Sequence, residues 1–299
     1  MFFEKEYAAG RVRAMRSTLL GKEMLQEIED AKTVSDMLLS IAGTHYEHAF
    51  AKRNLEKSER ELFAHKSKSI EKVLSFMPQA YYNAFLVFSL EIDAKNLKRC
   101  AQGFSGGMSW SHIKQDLEQT GLVFKKTNEI HINGFEMLCS VLRETHWNAT
   151  LRKCLEHQSA EQSMARVTHE IDSFVFSRAL ESENYSIKRF FIEKRDLLDF
   201  RLIMLSKNAC MPVPENLLFS PENKESILQK YHHFEEGQIE KDIENHLLSI
   251  SKGLLEREPF ASGLFIDFFC RKEFEAHHIS RSARNACAKT THDILEATI

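Results

Sequence analysis

The chain has 299 residues, of which 43% are hydrophobic and 28% charged, and its formal net charge is −3. Its 11 Gly and 5 Pro residues are less than half of the usual share of about 12%, which excludes the many tight turns of a sandwich, barrel or propeller. The 40 basic and 43 acidic residues form no long run of one sign, so nothing points to a nucleic-acid partner. The composition predicts an all-α protein.

The first predicted elements are amphipathic helices. Val12, Met15 and Leu19 recur at helical spacing, and Thr33 followed by Asp36 forms a capping box ahead of another apolar run. A long helical pattern then covers residues 47–77, with apolar residues on one side and many Lys and Glu residues on the other. We expect its charged side to face solvent.

Two clusters of turn-forming residues divide the chain. The first is GFSGG at 103–107, and the second lies at 208–222, where Pro212, Pro214 and Pro221 occur close together. These clusters predict three helical subdomains of roughly a hundred residues each, covering residues 1–107, 108–212 and 213–299.

Two motifs recur at intervals of roughly a hundred residues. A Thr-His-aromatic triplet stands at 44–46 and again at 145–147. The second motif has an acid, a polar residue three positions later and a base five positions later, and its copies are Asp93, Asn96 and Lys98, then Asp196, Asp199 and Arg201, and a fainter Glu275, His278 and Ser280. A single active site needs no threefold repetition. We therefore interpret the carboxylates as architecture, paired with neighbouring groups, with the base pointing elsewhere on the helix, rather than as catalytic acids.

The chemical motifs of the chain are weak. Glu275 and His278 form one Glu-x-x-His, which is half of the di-iron bundle motif, and His292 with Asp293 forms an HD dipeptide without placed partner ligands. Phosphate-loop, dinucleotide, serine-hydrolase and kinase signatures are missing from the sequence. We predict no catalytic, cofactor-binding or metal-binding residues and no cofactor. An all-helical metalloenzyme that uses one of these two pairs is a minor alternative.

Cysteines and apolar stretches bear on the compartment. The six cysteines are scattered, with no CxxC pair and no signal peptide ahead of them, which predicts buried free thiols in the reducing cytoplasm. The longest uncharged apolar stretch, 77–90, is too short to span a membrane. Aromatic clusters at 81–88 and 265–269 are typical of core packing, and an exposed groove for a partner helix is the alternative.

The opening segment carries a family resemblance. Residues 7–20, YAAGRVRAMRSTLL, resemble the N-terminal signature of the C subunit of A-type and V-type rotary ATPases, which is equivalent to the d subunit of the eukaryotic vacuolar enzyme. The motif at 93–98 is similar to a helix start that this family repeats in three related subdomains, and the segments 110–122 and 272–279 also resemble family segments. Asp199, His278 and Ser280 depart from the usual Asn, Asn and base.

The resemblance implies a funnel-shaped body with pseudo-threefold symmetry on the cytoplasmic face of the membrane. Such a protein performs no chemistry. It couples the proteolipid rotor ring to the central-shaft subunits as a monomer within the ATPase, touches the membrane only indirectly through the ring, and transmits torque for proton or sodium transport. The other interpretation of the same helices is a repeat adaptor or scaffold outside an ATPase.

Overall fold

The computed structural model describes residues 2–50, 54–157, 163–213, 218–220 and 224–296. These residues form α-helices and one 3-10 turn, with no β-strand among them, so the predicted fold class is confirmed. The first group of helices comprises α1 (Phe2–Arg16), α2 (Lys22–Asp30), α3 (Val34–Ile41), α4 (Glu47–Phe50), α5 (Leu55–Ser75) and α6 (Gln79–Ser105). The next comprises α7 (Trp110–Asp116), α8 (Gly121–Thr127), α9 (Phe135–Val141), α10 (Asn148–His157), α11 (Ser163–Leu180) and α12 (Tyr185–Asn208). The last comprises α13 (Lys224–Lys230), the 3-10 turn Glu236–Gln238, α14 (Ile239–Arg257) and α15 (Ser262–Glu296). No helix within the described ranges is long and apolar enough to cross a lipid bilayer.

Each group ends in a hairpin of two long helices, α5 with α6, α11 with α12 and α14 with α15. Local chemistry fixes these turns. The Asn184 side chain caps α12 by accepting a hydrogen bond of 3.1 Å from the Ile187 N–H. At the start of α15, a Cβ on Gly263 would overlap the Leu254 carbonyl group, so only glycine permits this close approach to α14.

The predicted elements of the first group are largely confirmed. Helix α1 buries Val12, and Thr33 and Asp36 form the predicted reciprocal capping box at the start of α3. The prediction of one long pattern over 47–77 is wrong, because the Asn54 side chain accepts from the Lys57 N–H at 2.9 Å and starts α5 there.

The two predicted breaks coincide with the ends of long helices. The residues 103–105 of the GFSGG segment belong to α6, and only the last two glycines follow it. Pro212 comes after α12 and after Cys210, whose φ is 53°, while Pro214 and Pro221 lie outside the described residues. The subdomain boundaries at 107 and 212 remain predictions.

An aromatic core joins the hairpins. Phe88 on α6 lies 5.4 Å from Phe191 on α12 and 4.8 Å from Phe269 on α15, measured between ring centroids. Phe85 makes an edge contact with Phe265 at 5.6 Å. Aromatic pairs at these distances contribute beyond the area that they bury. The prediction of core packing is confirmed for both clusters.

The six thiols are all free. Four are buried, at Cys100, Cys139, Cys154 and Cys270, and burial raises the pKa of each to about 12. The prediction of buried thiols is wrong for Cys210, which is exposed because it lies in the turn after α12, and Cys287 is half-buried.

The hairpins are also linked by polar contacts. Helix α6 packs on α11, α12 packs on α14, and α15 packs on α5. At each joint the residue five positions after the motif acid reaches the first helix of the next hairpin, and the three contacts are Lys98 to Asp172 at 2.7 Å, Arg201 to Glu240 at 2.5 Å and Ser280 to Glu59 at 2.6 Å. The last contact returns from α15 to the first hairpin.

Candidate functional site: a charged cluster between the long helices

The first copy of the repeated motif holds the loop between α7 and α8. Asn96 accepts from the Glu118 N–H at 2.8 Å and donates to the Glu118 carbonyl at 3.0 Å. Asp93 accepts from the Val123 N–H at 2.8 Å. Gly121 has φ +83°, and a Cβ there would overlap an Asp93 carboxylate oxygen, so this loop requires glycine.

The second copy holds a segment at a similar distance along the chain. Asp199 accepts from the backbone N–H groups of Phe219 at 2.8 Å and Ser220 at 2.6 Å. Asp196 is fully buried and paired with Arg195 at 2.9 Å and Lys230 at 2.8 Å. The prediction that the motif acids pair with neighbouring groups is therefore confirmed for Asp196, whose partners are charged side chains, and for Asp93, whose partners are backbone donors.

The third copy holds the beginning of the chain. Glu275 accepts from the Leu20 N–H, from the Tyr46 hydroxyl at 2.5 Å and from Lys272 at 3.3 Å. His278 donates from Nε2 to the Leu25 carbonyl at 2.9 Å, so this ring nitrogen carries a proton.

The two metal-site alternatives fare differently. Glu275 and His278 form hydrogen bonds with different segments of the chain. These bonds explain the positions of both side chains, and no metal ion shared between them is needed. The part of the chain that the structure describes contains no cluster of His, Cys, Asp and Glu able to hold a metal. His292 and Asp293 lie near the end of α15, and their side chains are outside the described residues.

The Thr-His-aromatic triplet forms the same turn twice. Thr44 donates its hydroxyl to the Ile41 carbonyl at 2.7 Å and accepts from the Tyr46 N–H at 3.2 Å. Thr145 makes the matching bonds to Leu142 and Trp147 at the same two distances. Tyr46 and Trp147 are at most 1% exposed. The triplet is therefore a helix-ending turn that drives its aromatic ring into the core.

Two positions before each motif acid stands a charged residue, which is Glu91 on α6, Lys194 on α12 and Glu273 on α15. With Lys95 on α6 they form one group of four charged side chains, the charged cluster. Lys194 Nζ lies 2.5 Å from Glu91 and 3.8 Å from Glu273, and Lys95 Nζ lies 2.6 Å from Glu273. These four side chains keep between 17% and 33% of their surface exposed, although they lie on the three helices that share the aromatic core. Solvent therefore reaches the place where the three hairpins meet.

Mutual attraction keeps this cluster ionised. Burial opposes charge on Glu273, but Lys95 and Lys194 outweigh it and hold the pKa of Glu273 well below its usual range. Burial likewise opposes charge on Lys194, and the carboxylates of Glu91 and Glu273 raise its pKa above the usual value. Burial also opposes charge on Lys95, but Glu273 outweighs it and raises the pKa of Lys95.

An internal ion pair borders the cluster. Lys66 Nζ lies 3.3 Å from Glu118, and both side chains are 2% exposed. Burial lowers the pKa of Lys66 despite the attraction of Glu118, whereas Lys66 and Lys95 lower the pKa of Glu118 against its burial. Chemically, the whole arrangement offers fixed charges of both signs and partial solvent access, which suits recognition of a charged protein surface.

The sequence model of the family described as ATP synthase (C/AC39) subunit matches residues 8–215. The chain belongs to this family. The resemblance read from residues 7–20 is thereby confirmed. The C/AC39 match covers the first two copies of the repeated motif and ends ahead of α13, so Glu273 lies beyond it.

This C/AC39 chain is also similar to the C subunit of the A-type ATP synthase of Pyrococcus horikoshii, with 24% identity over 221 residues. The aligned region covers 70% of this chain and 58% of the relative. The chain therefore spans a little over half of the length of the curated relative that it matches. Family membership does not favour the adaptor outside an ATPase.

Sequence reasoning placed the structural motifs of this C/AC39 chain but missed its charged cluster. Glu91, Lys194 and Glu273 differ in sign, so no repeated residue type marks them. The one available signal is register, because each stands two positions before an acid of the repeated motif.

Proposed function

We propose that this C/AC39 family member is a central-stalk coupling protein of an A/V-type ATPase. It links the proteolipid ring to the central shaft and passes torque between them during ATP synthesis or ATP-driven proton or sodium transport. It works on the cytoplasmic face of the membrane, as one copy per complex, and reaches the membrane only through the ring. It carries no catalytic step of its own.

The observation that carries the proposal is the charged cluster, found in a chain of an ATP synthase subunit family. A coupling protein must grip a rotating partner without enzymatic chemistry. Fixed side chains of both signs give orientation and specificity to such a contact, and ion pairs that remain partly hydrated can exchange partners at lower cost than dry ones. Lys194, which forms ion pairs with carboxylates of two neighbouring helices, lies at its centre.

We also propose that the subdomains 1–107, 108–212 and 213–299 form a funnel with pseudo-threefold symmetry. The support lies in the three hairpins, the three motif copies and the three joints at Lys98, Arg201 and Ser280. In this arrangement the cluster lies near the axis, where a shaft would enter.

The test is binding of the purified chain to the isolated pair of central-shaft subunits. Lys194→Glu should weaken binding at least tenfold, because it reverses the charge at the centre of the cluster. Lys188→Glu is the matched control on the same helix, since Lys188 is exposed. It should change the affinity less than twofold. Circular dichroism spectra and melting curves establish that each variant is folded.

Lys194→Gln is a second variant for the case in which Lys194→Glu does not fold. It removes the positive charge without adding a third carboxylate beside Glu91 and Glu273. A folded Lys194→Gln protein with wild-type affinity for the shaft would remove the cluster from the contact. A wild-type chain that binds neither the shaft pair nor a reconstituted proteolipid ring would overturn the coupling role itself.

A further inference from the structure

A cavity that none of the four cluster residues lines lies between α1, α5, α15 and the turn after α3. Its volume is about 560 Å³, within the range of small-molecule sites. Met15 and Phe268 contribute apolar wall, and the other principal side chains that line it are cationic or imidazole groups, namely Arg11, His45, His65, Lys68, Lys72 and Lys272. None of the described residues that line this cavity is acidic.

The positive charges around this cavity are poorly balanced. Lys68 and Lys72 are one helical turn apart on α5 and exposed, and like charges at that spacing destabilise a helix. Neither has a carboxylate within 4 Å among the described residues. Arg11 lies over the Phe76 ring at 4.2 Å and bonds the Tyr7 hydroxyl at 3.2 Å, so its local partners are neutral.

Lys272 differs from the other lysines of the cavity because its ammonium group already has hydrogen-bond and ion-pair partners within the protein. It is buried, and its Nζ donates to His45 Nε2 at 2.7 Å, to the Tyr46 hydroxyl at 2.6 Å and to Glu275 at 3.3 Å. Glu275 does not line the cavity, and it also accepts hydrogen bonds from the Tyr46 hydroxyl and the Leu20 N–H.

The two imidazoles add polar ring nitrogens to the cavity wall. Because His45 Nε2 accepts from Lys272, its proton lies on Nδ1. His45 stacks on His65 at 4.6 Å, and His65 Nδ1 is buried with no hydrogen-bond partner among the described residues. Burial, followed by the Lys272 charge, lowers the pKa of both rings to about 4, so both are neutral at physiological pH. An unpaired buried polar atom is costly unless a ligand satisfies it.

We propose that this cavity binds a small anion of the phosphate class that carries two or more negative charges. The guanidinium of Arg11 and the ammonium groups of Lys68 and Lys72 supply the charge, and His45 and His65 supply neutral hydrogen-bonding groups. The anion is either a soluble phosphorylated compound or the head group of an anionic phospholipid, which present the same phosphoryl chemistry. This site is independent of the shaft contact at Lys194.

The experiment is isothermal titration calorimetry of the full chain with inorganic pyrophosphate. Wild-type protein should bind it saturably, and the double variant Lys68→Ala with Lys72→Ala should bind at least tenfold more weakly. The matched control is Lys188→Ala with Lys252→Ala, which removes two exposed lysines that do not line the cavity. Its affinity should stay within twofold of wild type. All four lysines are exposed, so both proteins should fold.

Two further measurements locate the ligand and its source. Pyrophosphate should shift the imidazole NMR signals of His45 and His65 but not those of exposed His232. Flotation with vesicles of phosphatidic acid in phosphatidylcholine, compared with phosphatidylcholine alone, separates the sources. Retention that the Lys68 and Lys72 variant loses assigns a head group, and pyrophosphate binding without retention assigns a soluble ligand. Absence of both kinds of binding, or equal losses in the variant and its control, would overturn the site.

Discussion

Helices α6, α12 and α15 build two neighbouring regions of opposite character. Phe88, Phe191 and Phe269 are at most 5% exposed, and Phe88 contacts both of the other rings. Glu91, Lys194 and Glu273 stand about one turn further along and keep at least 17% of their surface exposed. Burial of apolar area stabilises the packing of helices. Removing a charged group from water costs free energy, and an ion pair that stays hydrated contributes little to stability. The comparison indicates that the aromatic region supplies stability and the charged region remains available for contact.

Truncation of the aromatic region should have the largest effect. Phe88→Ala removes a side chain that contacts rings on both other helices, and the cavity should lower the free energy of unfolding by about 3–5 kcal/mol. Phe260→Ala is the control because Phe260 is 61% exposed, and its cost should stay below about 1 kcal/mol. Urea titration followed by circular dichroism measures both. Similar losses for the two would mean that the aromatic region is not the stabilising one.

Asp93 sharpens the comparison because it follows Glu91 by two residues yet is 1% exposed. Burial raises the pKa of Asp93 to about 7 from an ordinary value of 3.8. The folded state therefore retains a proton that the unfolded chain releases, and this group's contribution to stability falls as pH rises. Asp93→Asn cannot titrate, so its stability relative to wild type should improve by about 2 kcal/mol between about pH 5 and about pH 7.

Urea titrations at several pH values test the Asp93 prediction. Gln102→Ala is the control on the same helix, because Gln102 is exposed and does not titrate, so its variant should differ from wild type by the same amount across that range. If the Asp93→Asn and wild-type curves run parallel, Asp93 is ionised in the folded protein and the contrast with Glu91 disappears.

The charged region should give the smallest change in stability. Glu273→Gln leaves Lys95 and Lys194 without a shared carboxylate, and because a third of Glu273 is exposed we expect a loss of about 1–2 kcal/mol. Added salt should shrink this loss and leave that of Phe88→Ala nearly unchanged. Glu256→Gln on exposed α14 surface is the control and should be nearly neutral. If added salt leaves the loss of stability in Glu273→Gln unchanged, Glu273 stabilises the fold through packing and not through its charge.

Sequence reasoning succeeded where the chemistry is local. The capping box of Thr33 and Asp36 needs only four residues of chain, so its spacing predicts it. The helix start at Asn54 was missed because an apolar pattern continues across it, and a single capping amide is a weak signal within such a pattern.

Contacts between residues far apart in the chain could not be predicted from sequence patterns. Asn96 was recognised as architectural, but its partners are backbone groups more than twenty residues away, and backbone donors leave no mark in a sequence. The cluster at Glu91, Lys194 and Glu273 depends on how three helices meet, which none of the three local sequences encodes.

The return of α15 to the start of the chain has a consequence for biosynthesis. Leu20, Tyr46 and Glu59 find their partners on a helix that leaves the ribosome after every other described element. Until that helix emerges, the Tyr46 hydroxyl and the Leu20 N–H of the nascent chain lack the carboxylate that accepts their hydrogen bonds in the folded protein. Contacts that span more than two hundred residues are also slow to form. Premature termination ahead of α15 therefore yields an open product exposed to chaperones and proteases, and only chains that include α15 close the ring of hairpins.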